Sequence, residues 1–185
     1  MTSELSIRPA TPADAEQLSF FAAAIFRETF GPDNNPTDLE LYLSEAYSPE
    51  KQAAEIADPN GVVLLAEIVT SETGATPRET GAKLAGYAHL VQSEPAASVT
   101  GPAPVELSRF YVSPEWHGHG IAQKLMHAVV DTARERGAGT LWLGVWEHNP
   151  RAIAFYRKCG FEQIGEKTFL LGTDLQNDLV FARTL

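Results

Sequence analysis

Between Val105 and Met126 the chain reads VELSRFYVSPEWHGHGIAQKLM. The first eight residues have strand character, and Pro114 ends the run because proline cannot continue a central strand. From about Ile121 to Arg136, Leu125, Val129 and Ala133 recur at helical spacing, with Gly137 as the stop. Strand, glycine loop and helix therefore follow directly, and a helix N-terminus lies close to the end of a strand. The amides of a helix's first turn have no internal partners and carry the positive end of the helix dipole, so an anion is favoured there. Gly118 and Gly120 put no β-carbon in the way of a phosphate oxygen. The loop lacks the Gly-Lys-Ser/Thr ending of a nucleotide P-loop, and Gln123 stands where a dinucleotide fingerprint has its third glycine. On the residues alone, a pyrophosphate site and a tight turn without a ligand both stand open.

Other elements gather around this unit. Ser6 to Arg8 is a short strand-like start, and TPADAEQLSFFAAAIFRETF follows with Thr11 as N-cap, Pro12 at the first helical position and Ala15, Leu18, Ala22 and Ile25 on one face. GPDNNP breaks this helix, TDLELYLSEAY reads as a second, and SPEKQAAEIAD as a third. VVLLAEIV and KLAGYAHLV read as an antiparallel strand pair joined by a long loop from Thr70 to Ala82. TLWLGVW is a buried strand, and NPRAIAFYRKCG a short helix capped by Asn149, started by Pro150 and ended at Gly160. The tail FEQIGEKTFLL, GTDLQND, LVFARTL reads as strand, turn, strand. With no repeat and no linker, 185 residues predict one domain, 1–185, of α/β (α+β) class.

Composition narrows the partners. Twenty-four acidic residues stand against 14 basic ones, with no Lys/Arg cluster, which predicts no nucleic-acid binding and favours cationic partners. The apolar runs fall short of the roughly 20 residues that span a bilayer, so no membrane is expected. A single cysteine, Cys159, excludes an internal disulfide, and MTSELSIRPA lacks the pattern of a signal peptide, which together predict a reducing cytoplasm. His117 and His119 lie in the turn and His127 two helical turns later, so they do not converge and no metal is expected.

Together with LGVWEHNPRAIAFYRKCGFEQIGE, the segment from Val105 to Met126 resembles the two signature segments of the GNAT superfamily of N-acetyltransferases. The first is similar to that family's Gln/Arg-x-x-Gly-x-Gly/Ala motif, with His117, Gly120 and Ala122 at the matching places; the second to its Asn…Tyr…Gly-Phe segment. The resemblance implies a mixed, mostly antiparallel sheet with helices on both faces and a splayed parallel strand pair at the cofactor slot. It implies acetyl-CoA as cosubstrate, with the main chain of Phe110, Tyr111 and Val112 along the pantetheine arm. Gly118, His119, Gly120, Ile121, Ala122 and Gln123 would wrap the pyrophosphate, and Asn149 would hydrogen-bond the cofactor. His117 departs from the family's usual Arg or Gln, which leaves the grip to backbone amides.

The resemblance also gives Tyr156 the role of general acid. A phenol of pKa about 10 donates to the departing CoA thiolate without losing its proton to bulk water beforehand. On residues alone, core packing of a helical aromatic is the competing reading. Amine attack needs a neutral nitrogen, and Glu106, beside the pantetheine strand, is the candidate base through water, against a plain solvent-facing carboxylate. Strand alternation puts Glu106, Ser108 and Phe110 on one face unless a bulge changes the parity. KTFLLGTDLQNDLVF and FRETFG are similar to bacterial spermidine/spermine-type enzymes, while hairpin-turn chemistry for Gly172 to Asp178 and core packing for Phe26 and Phe30 explain the same residues without a substrate.

The expected reaction is transfer of acetyl from acetyl-CoA to a primary amine, a small and cationic acceptor such as a polyamine, by direct attack in a ternary complex. Alternatives are a protein N-terminus, a lysine or an antibiotic amine as acceptor, or a non-catalytic acyl-CoA-binding regulatory module. A homodimer is compatible with all of these. Cys159, at a helix C-terminus where the dipole disfavours a thiolate, is not expected to carry the acyl group.

Overall fold

A computed structural model describes residues 2–71 and 81–185. In chain order the elements are β1 (Thr2–Pro9), α1 (Ala15–Phe30), α2 (Pro36–Ala46), α3 (Pro49–Ala57), β2 (Gly61–Ser71), β3 (Gly81–Val91), β4 (Pro104–Val112), α4 (Ile121–Glu135), β5 (Thr140–Trp146), α5 (Pro150–Lys158), β6 (Glu162–Leu171) and β7 (Asp174–Thr184). The strands form one seven-stranded sheet in the order β1-β2-β3-β4-β5-β7-β6. Every neighbouring pair is antiparallel except β4 and β5, which run parallel. Residues 72–80, which hold most of the expected long loop from Thr70 to Ala82, lie outside the described residues; its flanks Thr70 and Ala82 are paired within β2 and β3. Among the described residues no helix is long and apolar enough to cross a membrane.

Helix starts follow the capping chemistry. Asn35 and Ser48 side chains accept from first-turn amides of α2 and α3, each with proline at the next position. Thr11 and Pro12 open a 3-10 turn, Pro12–Asp14, and α1 proper begins at Ala15, so the expected cap lies one turn earlier than the α-helix. There Asp14 accepts from the Thr11 amide (2.7 Å) and from Arg8 (2.8 Å), and Arg8 also holds Glu67 of β2.

Two apolar layers cover the sheet. On one face Leu125, Val129 and Ala133 of α4 are fully buried against Leu90, Leu107, Leu141 and Phe181, and Ile153 and Tyr156 of α5 join them. On the other, Leu18, Ala22 and Phe26 of α1 pack with Leu39 and Leu43 of α2 over Leu65, Leu84 and Tyr87. Arg109 of β4 reaches this second layer, where its guanidinium pairs with Glu55 of α3 and lies 4.7 Å from the Tyr47 ring centre.

Two local features differ from the sequence reading. His89 pairs with Arg109 and Leu90 with Leu107, so Ser108 is an extra residue on β4. The bulge reverses the alternation: Leu107 and Phe110 both join the α4 layer, whereas Arg109 and Tyr111 join the α1 side. Glu106 and Phe110 therefore point to opposite faces, not the same one. The β6–β7 turn is only Gly172 and Thr173, and β7 begins at Asp174. Asp38 of α2 fixes this short turn by accepting from the Thr173 amide (2.6 Å) and hydroxyl (2.7 Å). The segment expected to be a turn through Asp178 is a strand, and Asp178 stands opposite Trp146 of β5 and Lys167 of β6.

Candidate functional site

β4 and β5 pair only at Pro104–Thr140, Val105–Leu141 and Glu106–Trp142. Beyond those positions they part, and a cavity of about 440 Å³ occupies the gap and continues to both faces of the sheet. One end is the first turn of α4. The first bond closing that helix runs from the Lys124 amide to the Gly120 carbonyl (3.2 Å), which leaves the amides of Ile121, Ala122 and Gln123 without helical acceptors. Gly118 and Gly120 hold φ of 82° and 76°, a conformation that glycine adopts without the strain a side chain would bring.

Phe110, Tyr111, Val112, Gly118, Gly120, Ile121, Ala122, Gln123, Asn149 and Tyr156 all line the cavity. His119 does not: it is exposed, and its Nδ1–H donates to the His117 carbonyl (3.0 Å). Asn149 caps α5 through its Oδ1, which accepts from the Ala152 amide at 3.1 Å. Its side-chain NH2 has no partner among the described residues, and Asn149 stands in the cavity lining.

Arg151, which sequence reasoning passed over, supplies the cation that His117 does not. Its Nη1 donates to His117 Nδ1 (3.0 Å), while His117 Nε2–H donates to the Val112 carbonyl (2.9 Å). Both bonds are satisfied at once by a neutral imidazole, so the guanidinium is the charged group at this end of the cavity. Its place just after Asn149-Pro150, at the start of a helix facing the glycine loop, was the available signal.

Tyr156 lines the middle of the cavity, buried among Phe110, Phe155 and Phe161 at ring separations of 6.3, 5.6 and 5.8 Å. Burial pushes its hydroxyl above the ordinary phenol value, so the group keeps its proton throughout the neutral range. Cys159, at the end of α5, lies outside the lining, and burial pushes its thiol up as well.

At the α1 face the cavity is walled by aromatic rings: Phe26, Phe30, Tyr42, Trp146 and Phe169, with neighbouring centroids 4.5 to 5.9 Å apart. Among the described residues, Asp178 is the only carboxylate in the lining. Desolvation is the main cause that raises its pKa from 3.8 to about 6, with Lys167 lowering it and Glu147 adding to the rise. Glu106 lies outside the lining, where its carboxylate accepts from Ser93 (2.6 Å) and from Lys167 Nζ (3.2 Å).

The Acetyltransferase (GNAT) family profile matches residues 32–161. An uncharacterised N-acetyltransferase of Mycobacterium tuberculosis is 35% identical over 172 residues, covering 93% of this chain and 98% of its own. The streptothricin acetyltransferase of Streptomyces lavendulae is 30% identical over 176 residues, covering 88% of this chain and 84% of its own. The crystal structure of the PaiA N-acetyltransferase from Thermoplasma acidophilum in complex with coenzyme A matches at a TM-score of 0.74 and 22% identity, over 98% and 99% of the two chains.

Proposed function

The chain belongs to the acetyltransferase (GNAT) family, and on that premise we propose that it transfers acetyl from acetyl-CoA to a primary amine of a small cationic acceptor, within a ternary complex. One observation carries the reading: a single cavity joins the open amides of α4, the gap between β4 and β5, the Tyr156 hydroxyl and an aromatic chamber holding a lone carboxylate. The open amides of Ile121, Ala122 and Gln123, with Gly118, Gly120 and Arg151 beside them, suit the pyrophosphate. The unpaired inner edge of β4 at Phe110, Tyr111 and Val112 offers main-chain groups to the pantetheine arm, and the Asn149 NH2 lies beside the same path. No part of this needs a metal.

In the reaction the amine nitrogen attacks the thioester carbonyl, the C–N bond forms and the C–S bond breaks. Tyr156 protonates the departing sulfur; its raised pKa keeps it a donor rather than a phenolate. Glu106, the base expected from the sequence, lies outside the cavity lining, and Asp178 is the carboxylate within it.

Aromatic walls beside a carboxylate favour an alkylammonium group, through cation–π attraction and charge. That supports a polyamine, and the net charge of −10 agrees with it. An antibiotic amine is the second reading, favoured by the likeness to the streptothricin enzyme. The chain acts as one acetyltransferase domain in the cytoplasm in either case. Thiol release from acetyl-CoA, measured against spermidine, spermine, kanamycin, lysine and an alanyl peptide, tests both. Release stimulated by none of these amines would refute the proposal.

A further inference from the structure

Asp178 lies in the middle of β7 on the aromatic side of the sheet, 8% exposed, and its carboxylate has no hydrogen-bond partner among the described residues. Four groups face it. Lys167 is its rung partner on β6, Trp146 and Glu147 lie at the end of β5, and Tyr42 comes from α2. Lys167 would be the natural counter-ion, yet its Nζ is committed elsewhere, 3.2 Å from Glu106 Oε1 and 5.0 Å from the Trp142 ring centre. The room for this arrangement comes from Gly144. A β-carbon there would stand 2.6 Å from Lys167 Cε and 2.9 Å from Asp178 Oδ2, closer than packing permits. The fold thus sets an unneutralised carboxylate into the aromatic chamber and holds the nearest cation off it.

Resting on the acetyltransferase reading, we propose that Asp178 binds the acceptor's ammonium group and takes its proton, and that Glu106 is a positioning residue that acts by restraining Lys167. The steps balance. R–NH3+ gives one proton to the Asp178 carboxylate, leaving R–NH2 and a neutral carboxyl. The nitrogen lone pair forms the C–N bond to the acetyl carbon, and the C–S electron pair leaves with sulfur, which takes the Tyr156 proton to give CoA thiol. The nitrogen's surplus proton returns to the Tyr156 oxygen, and Asp178 releases its own to solvent with the product.

Burial is what makes this carboxyl useful. Raised from 3.8 to about 6, it holds a proton roughly 10²-fold more firmly than an ordinary carboxyl, which narrows the gap to an alkyl amine of pKa near 10.4 by the same factor. It is still ionised at neutral pH, so it attracts the ammonium before accepting from it. Glu106, tied to Lys167 and Ser93 outside the cavity lining, lacks the access for that part.

The test is the pH profile of kcat/KM for acetyl transfer to the best amine of the panel above, in the wild type, Asp178→Asn, Glu106→Gln and Lys167→Met. The wild type should show an acid limb bending near pH 6. Asp178→Asn should lose about 10²-fold or more at pH 7 and lack that bend, with partial recovery at high pH, while acetyl-CoA still binds with unchanged Kd. Lys167→Met should move the bend to higher pH, because the cation that lowers the Asp178 pKa is gone; this variant serves also if Asp178→Asn fails to fold. Glu106→Gln should lose less than Asp178→Asn and keep a bend, moved to lower pH because the freed Lys167 can approach Asp178. An Asp178→Asn enzyme with the wild-type bend, a Lys167→Met bend that does not move, or loss of the bend in Glu106→Gln alone would each overturn the inference. In all three cases wild-type turnover would leave the acetyltransferase reading standing, whereas absence of wild-type turnover with any amine would remove the reading itself.

Discussion

Asp178→Asn should make the protein more stable at neutral pH even as it lowers turnover. Burial raises the folded-state pKa of this carboxyl from 3.8 to about 6. A carboxyl raised on folding holds its proton more tightly in the folded chain than in the unfolded one, so ionising it works against folding. The cost is absent below pH 3.8, where both states are protonated; it grows between there and about pH 6, and is complete above. A shift of about two units at about 1.36 kcal/mol each gives about 3 kcal/mol at pH 7 to 8. Asparagine keeps the shape and never ionises, so it recovers this amount. For a chain of this length that corresponds to a rise in Tm of about 6 to 12 °C. Calorimetry of both proteins from pH 4 to 8 is the assay. The gain should be full at pH 8, shrink below pH 6 and be nearly gone at pH 4. A variant no more stable than the wild type at pH 8, or a gain that does not change with pH, would show that the carboxylate is well solvated or neutralised in the folded protein.

Four further outcomes are expected. Tyr156→Phe keeps the ring and its packing, so turnover should fall by about 10²-fold or more with acetyl-CoA affinity nearly unchanged, and high pH should not restore it. Acetyl-CoA at 100 times its Kd should stabilise the wild type by about 2.7 kcal/mol, and Gly120→Val should lose this stabilisation, because a branched side chain at φ 76° strains the turn and meets the phosphate. Arg151→Met should raise the acetyl-CoA Kd about tenfold, the worth of one charge-assisted hydrogen bond, and affect dephosphorylated pantetheine little. If the acceptor is cationic, the advantage of spermidine over a neutral amine should shrink between 50 and 500 mM salt, in an initial-rate assay where equal rates at both salts would exclude an electrostatic contribution.

How much of this was legible in the sequence depended on whether local chemistry decided the outcome. Ser48-Pro49 and Asn149-Pro150 are helix starts whatever surrounds them, and the burial of Leu125, Val129 and Ala133 follows from spacing alone. The splayed pair, and the strand and loop residues that line one end of the cavity, could be placed from the two family-like segments. The aromatic end could not. GTDLQND has the composition of a turn, yet only Gly172 and Thr173 turn, because Asp38, 135 residues away in sequence, fixes them and lets pairing with β5 and β6 claim the rest. Asp178 was thereby hidden. The bulge that the parity reading allowed for sits at Ser108, with no glycine or proline to mark it, and it sets Glu106 and Phe110 on opposite faces. In both places long-range pairing overrides local pattern.

The three rungs between β4 and β5 have a mechanical consequence. The β3–β4 and β5–β7 ladders on either side pair over longer stretches, so the molecule is two ribbons, β1 to β4 and β5 with β7 and β6, hinged along a short weld at Pro104 to Glu106. Opening such a seam breaks few sheet hydrogen bonds, and what otherwise spans the two ribbons is the α4 layer, which packs on Leu90 and Leu107 of one and on Leu141 and Phe181 of the other. An extended ligand lying between them acts as a missing strand and rivets the ribbons together. Binding should therefore be felt in amide hydrogen exchange not only at the loop it touches but along β5 and β7, which would slow together with β4 as one unit.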